Sequence, residues 1–173
     1  RSFAYPTANI LMAFDYAFKM GANIITTSVG GDKYSKAFED AIRLAGSKGI
    51  PFICACGNSN DNLDKKKIYP PSYADNDNMI VVCSHTDSGK KDALSNYGQK
   101  TAHILAPGLN IRSTAVSVMP NSSGLKDPIY LEMSGTSMAA PHVAGAVGLL
   151  LSIEPNLTPK EIRDKIVRTA KKD

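Results

Sequence analysis

Hydrophobic positions along the chain switch repeatedly between two periods. Over residues 5–20, Ile10, Phe14 and Phe18 recur every four residues among polar neighbours and Gly21 follows, which predicts an amphipathic helix with a glycine at its end. The β-branched run NIITTSV, residues 23–29, then predicts a strand closed by Gly30 and Gly31. Phe38, Ile42 and Ala45 mark one face of a second helix over residues 35–48. In IPFICAC, residues 50–56, the alternation is lost because nearly every position is apolar, and the strand is expected to be covered on both faces. MIVVC at 79–83 and AHILA at 102–106 predict two more short strands. Downstream, VAGAVGLLL at 143–151 is apolar on every side, which predicts a helix running through the interior. The segment TPKE at 158–161 offers Thr158 as N-cap, Pro159 at the first helical position and Glu161 to complete a capping box. Strand and helix alternate throughout, so the fold class is α/β: a mostly parallel sheet with helices on both faces.

Composition narrows this picture without redirecting it. The 173 residues are 43% hydrophobic, enough for one domain with its own core. The net charge of +4 is spread over lysines interleaved with carboxylates, which describes a solvated surface and argues against a nucleic-acid partner. Cys54, Cys56 and Cys83 are read as small buried residues rather than a disulfide framework. Neither a leader peptide nor an unbroken apolar span of membrane length stands out, so no membrane partner is expected.

The chemistry concentrates in SGTSMAAPHVAG, residues 134–145. With Thr136 or Ser134 as the expected cap, Ser137 lies in the first helical turn, where its N–H has no intrahelical acceptor and the helix dipole favours negative charge. Pro141 has no N–H to donate to the carbonyl four residues back, that of Ser137, so the helix start is distorted at the serine. This arrangement can mount a nucleophile. Asn58, after a glycine at the end of the apolar 50–56 strand, stands where open α/β sheets place their ligands and can donate without carrying charge; the plain alternative is an asparagine that stabilises the turn GNSND.

The stretch from Gly135 to Gly145 resembles the nucleophile segment of the subtilisin-like serine protease family, Gly-Thr-Ser-Met-Ala-x-Pro-His-Val-Ala-Gly. Ser28-Val29-Gly30-Gly31 is similar to the family's Ser-Leu-Gly-Gly substrate-binding strand, and Ala55-Cys56-Gly57-Asn58 to its Ala-Ala-Gly-Asn segment. Tyr69-Pro70 and Ala106-Pro107-Gly108 follow in the family's order. The resemblance implies that Ser137 is the nucleophile and that Asn58 and the Ser137 N–H bind the oxyanion. It also implies that Ser28, Val29 and Gly30 face Ala55, Cys56 and Gly57 across the substrate pocket. The implied substrate is a polypeptide added as a strand beside Ser28–Gly30, with an uncharged residue of modest size before the cut; Ile68 stands near the pocket floor, and Asp32 and Asp61 are close enough to alter that preference.

One departure shapes the functional reading. The family's triad runs Asp, His, Ser along the chain, yet the residues before the substrate-binding strand contain Asp15 on a helix and no histidine. The chain, residues 1–173, is therefore expected to be the C-terminal part of one catalytic domain, inactive by itself, with the missing N-terminal part or a prodomain as a partner and with self-association through uncovered apolar surface. None of His85, His103 and His142 is assigned as the base. Two other readings stay open: a non-catalytic pseudoprotease or interaction module, and an α/β-hydrolase suggested by GTSMA, which would need an acid and a histidine after Ser137 and finds only His142. No cofactor is assigned; the loop PPSYADNDN, 70–78, lies in a region that resembles a structural calcium site, but Asp75, Asn76, Asp77 and Asn78 do not follow the EF-hand ligand order and the loop reads more readily as an ordinary polar turn. A secreted location follows from the resemblance, and the sequons at Asn121 and Asn156 are compatible with it.

Overall fold

The computed structural model of the protein describes residues 6–115 and 129–171. Helix α1 (Thr7–Lys19) leads into strand β1 (Ile25–Thr27), then α2 (Lys36–Ser47) and β2 (Phe52–Ala55). A short 3₁₀ turn at Pro71–Tyr73 precedes β3 (Met79–His85) and β4 (Ile104–Pro107). Next come β5 (Ile111–Ala115), β6 (Ile129–Met133), α3 (Thr136–Ile153) and α4 (Pro159–Thr169). Strands β1 to β4 form a parallel sheet in sequence order, with Ile25 opposite Phe52 and Phe52 opposite Met79. The expected α/β class and parallel sheet are present. The antiparallel β5–β6 pair, which places Ile111 opposite Met133, has no counterpart in the sequence reading.

Alternate residues of the central strands feed two cores. Phe52, Cys54, Met79, Val81 and Cys83 face α1 and α2, where they meet Phe14, Phe38, Ile42 and Ala45. Ile53, Ile80 and Val82 face the other way, onto Ala139, Ala140, Val143 and Val147 of α3 and Ile162 of α4. Helices thus cover both faces, and β2 is apolar throughout because Phe52, Ile53 and Cys54 are each 0% exposed.

Local signals act as the residue types require. Gly21 and Gly49 follow α1 and α2 with φ of +68° and +77°, a region that costs glycine little. Ser35 accepts from the Phe38 N–H at the start of α2, and Thr158 and Glu161 form the full capping box on α4.

Two expectations are corrected. Neither Thr136 nor Ser134 caps α3: the N-cap is Gly135, with φ of 137° and no side-chain cap, while Ser134 Oγ accepts from the Asn110 N–H. Nor does α3 run through the interior, since its small residues bury one side and leave Leu149 and Ile153 70% and 78% exposed. By length and composition this 18-residue helix, with a mean hydropathy of 1.4, could cross a membrane, which corrects the expectation that no span of membrane length is present. In this fold Val143 and Val147 are spent on the sheet.

Candidate active site

The centre of the site is the junction between the end of β2 and the start of α3. Thr136 is fully buried. Its hydroxyl accepts from the Gly57 N–H at 3.1 Å and donates to Asn58 Oδ1 at 3.0 Å, and its backbone N–H donates to the same oxygen at 2.9 Å. Two donors on one oxygen fix the side-chain amide: Oδ1 must face Thr136, and the NH₂ is turned outward. Among the described residues no acceptor lies within hydrogen-bond reach of that NH₂ or of the Ser137 N–H. Two adjacent, unspent donors at a helix N-terminus form a place for an oxygen that becomes negative. No carboxylate stands in the first turn of α3 to compete with it.

Gly135 is the hinge of this junction. Its φ of 137° suits glycine, and a Cβ there would come within 3.2–3.3 Å of the Asn58 amide. Its N–H donates to Gly108 O at 2.7 Å. Gly108 itself is hemmed in, since a Cβ would lie 2.5 Å from Ser84 Cβ and 2.8 Å from Gly135 O. The Ala106-Pro107-Gly108 motif therefore serves the close approach of β4 to the start of α3.

The proline in α3 finds its compensation in Ser28. Pro141 lies inside α3 and leaves Ser137 O without its intrahelical donor; the Ser28 hydroxyl takes that place, donating to Ser137 O at 3.0 Å. In the other direction, Ser137 Oγ lies 3.5 Å from Ser28 O. The segment beyond β1 is exposed at Ser28 and Gly30, and the Gly31 and Tyr69 backbones exchange hydrogen bonds of 2.9 and 2.8 Å. A Cβ on Gly30 would lie 2.6 Å from Tyr69 O, so only glycine fits that crossing.

The other wall differs from a simple reading of its sequence. Ala55 packs towards α3, and Cys56 is fully buried with its sulfur 3.3 Å from Asn96 O. What residues 55–57 present is therefore backbone. The Cys83 thiol and the Ser95 hydroxyl beside it hold Cys56 below the ordinary thiol range despite burial, whereas burial pushes Cys54 up, and the Cys56 contact together with burial pushes Cys83 up. All three are free and buried, as the sequence reading expected. Ile68 packs on the core beside Tyr69, and Asp61 is paired with Lys66 at 2.7 Å.

None of the three histidines hydrogen-bonds Ser137. His85 Nδ1 lies 2.7 Å from Thr86 O. His103 Nδ1 accepts from the Val81 N–H at 2.9 Å, and burial, aided by Arg163, pushes its pKa down to about 4. His142 shares a cavity of 460 Å³ with Ser137, yet its Nδ1 is 2.8 Å from Met138 O. In the 70–78 loop, Arg163 donates to Asn76 O at 3.4 Å and to Asp77 at 3.0 Å, while the amides of Asn76 and Asn78 donate inward to Tyr73 O and Ile42 O. The loop's acceptors thus already face a guanidinium, a poor fit for calcium, and no cluster of three metal-ligating side chains occurs among the described residues. The sequon at Asn121 lies outside the described residues; Asn156 is exposed.

The sequence points to Ser137 and Asn58 but not to the residues that fasten them: Thr136 reads as a cap, and the buried Asn96 carries no signal of its own. A polar residue between apolar runs gave no signal that its side chain turns inward.

Known proteins resemble this chain over most of its length. The profile of the subtilase family matches residues 4–173. Subtilisin DY of Bacillus licheniformis is 32% identical over 162 residues, covering 93% of this chain and 54% of that protein. Thermitase of Thermoactinomyces vulgaris is 36% identical over 157 residues, covering 91% of this chain and 50% of that one. Subtilisin-like protease 1 of Plasmodium berghei is 35% identical over 170 residues, with 27% of its length covered. A crystal structure of a cold-adapted subtilisin-like serine proteinase superposes with a TM-score of 0.81 at 26% identity, over 99% of this chain and 57% of that one. The chain spans about half the length of subtilisin DY and thermitase.

Proposed function

The chain belongs to the subtilase family, and from that premise we propose that it is the C-terminal part of one catalytic domain, contributing the nucleophile and the oxyanion site of a serine endopeptidase. In this reading Ser137 Oγ attacks the carbonyl carbon of a peptide bond and its proton passes to a histidine supplied, with an aspartate, from outside this sequence. The carbonyl oxygen becomes an oxyanion and accepts from Asn58 Nδ2 and the Ser137 N–H. Collapse breaks the C–N bond, the proton goes to the leaving amine, and water later releases the acyl group from Ser137. The substrate strand lies along Ser28–Gly30, opposite the backbone of Ala55–Gly57.

The observation that carries the proposal is the orientation of Asn58. Thr136 occupies its oxygen from two sides, so the amide donors point out beside the Ser137 N–H. A turn-stabilising asparagine would spend its Oδ1 on N–H groups of its own turn, whereas the Asn58 Oδ1 accepts from Thr136, 78 residues away. We place the intact protein in a secretory compartment on family grounds, and expect the isolated chain to associate through Met12, Tyr16 and Leu149, which are 65–70% exposed.

A fluorophosphonate probe tests the proposal. The chain alone stays unlabelled, because a serine without a base is a poor nucleophile at neutral pH. A longer protein carrying the upstream Asp and His is labelled at Ser137, and Ser137→Ala abolishes the adduct. Labelling of the isolated chain would overturn its inactivity, and silence of the longer protein would favour a pseudoprotease. A concentration series in light scattering reports association; a single monomeric species throughout would remove that part.

A further inference from the structure

Asn96 is fully buried and spends its whole side chain on the segment around Asn58. Its Oδ1 accepts from the Ser59 N–H at 3.0 Å and the Asp61 N–H at 2.8 Å, and its Nδ2 donates to Cys56 O at 2.9 Å. Its backbone N–H donates to Gly57 O at 2.9 Å. The contacts fall on residues 56, 57, 59 and 61, bracketing position 58 on both sides without touching its side chain. Gly57 is shaped to this neighbour: it has φ of +100°, and a Cβ would lie 2.5 Å from Asn96 Nδ2.

The surroundings of Asn96 brace it further. Lys91 Nζ donates to Asn60 Oδ1, Asp92 O and Ser95 O at 2.8–3.1 Å, tying the loop after β2 to the segment that carries Asn96. The Asn60 N–H donates to Leu94 O at 2.9 Å, and Asn60 itself has φ of 53°. Gly57 takes its positive φ at little cost, but left-handed geometry at Asn60, a non-glycine residue, is costly unless the surroundings determine it. A buried amide meeting three backbone groups of one loop is such a determinant.

We propose that Asn96 is a positioning residue for the oxyanion site, acting through Asn58 by templating the backbone of residues 56–61. The inference rests on the reading of Asn58 as an oxyanion donor. It adds that the direction of the Asn58 amide is set by two groups from opposite sides, Thr136 at the side chain and Asn96 at the main chain. Misplacing a donor by about 1 Å is enough to cost up to about a hundredfold in rate.

The test is a double-mutant cycle in the longer, catalytically complete protein, with kcat and KM measured for a peptide substrate. Asn58→Ala alone lowers kcat; if it does not, the reading of Asn58 fails, and this inference with it. Asn96→Ala lowers kcat about tenfold to a hundredfold with KM within about twofold. In Asn58→Ala, Asn96→Ala has little further effect on kcat, because the group it positions is gone. Full additivity of the two losses, or a loss carried by KM, would overturn the proposal while leaving Asn58 intact. If Asn96→Ala does not fold, Asn96→Asp serves: it keeps the acceptor for Ser59 and Asp61, its ionised form loses the donation to Cys56 O, and the same non-additivity is expected. Unchanged kcat in a folded Asn96→Asp protein would count against the idea.

Discussion

Two strand ends flank Ser137, and they are held very differently. The exit of β2 is fastened on every side: Gly57 and Asn58 to Thr136, Ser59 and Asp61 to Asn96, Asn60 to Leu94 and Lys91. The exit of β1 is an exposed edge, joined to α3 through Ser28 and to the rest of the chain by the Gly31–Tyr69 exchange. The difference follows the chemistry proposed for each. A donor that must meet charge as it develops gains from being fixed in advance, whereas an edge that accepts a peptide must keep its backbone groups unspent. Rigidity and openness are thus divided between neighbouring parallel strands.

The strongest test of this division removes the donor itself. Asn58→Ala in the catalytically complete protein is expected to lower kcat by about 10² to 10³ with little change in KM, the range typical of losing one oxyanion donor. A rise in KM with kcat preserved would assign Asn58 to the binding side.

Acid should act on the sheet that supports both ends through His103, which bonds Val81 of β3. Its folded pKa of about 4 lies below the ordinary 6.5 because the ring is buried and Arg163 lies near it. The group therefore contributes its full stability above pH 6.5 and loses it as pH falls from there to about 4, a change of about 3 kcal/mol. Urea midpoints across that range measure it, and His103→Gln should flatten the curve.

Thr136→Val keeps the shape of the side chain but leaves the Gly57 N–H without its acceptor, at a cost of about 1–3 kcal/mol. The urea midpoint should fall with an unchanged m-value, and kcat should fall with it; an unaltered midpoint would show that the fastening is incidental. The smallest effect belongs to Ser28→Ala. Ser137 O is deprived of its hydroxyl partner at an exposed edge where water can replace it, so about 0.5–1.5 kcal/mol is at stake. A loss as large as that of Thr136→Val would erase the contrast between the two ends.

The sequence carried the layered fold because alternating helical and strand periods are local properties. Phe14, Phe38 and Ile42 stand on the faces their spacing implied, and Gly21, Gly49 and the Thr158 capping box stand at the ends they implied. The serine and asparagine were legible through the specificity of their motifs. Thr136 was misread because its partners, Gly57 and Asn58, are 79 and 78 residues away, and no local pattern tells a cap from a long-range fastener. The outer face of α3 was misread for a related reason. Uniform apolarity says that a helix can be buried all round, and only the tertiary contacts show that one side is. The β5–β6 pair was missed although IYLEM sets Ile129, Leu131 and Met133 at alternate positions; its partner IRSTA offers Ile111 as its one large apolar residue and gives little local signal.

The Ser28 hydroxyl that replaces the missing proline donor also sets an order in time. The two residues are separated by 109 positions, so while the chain is being synthesised at about 5–20 residues per second, Ser28 leads Ser137 by on the order of 5–20 s. During that interval the β1–β2 region can form, but neither α3 nor the Thr136 contacts that orient Asn58 exist. The site proposed here therefore cannot assemble until the segment carrying Ser137 has been made.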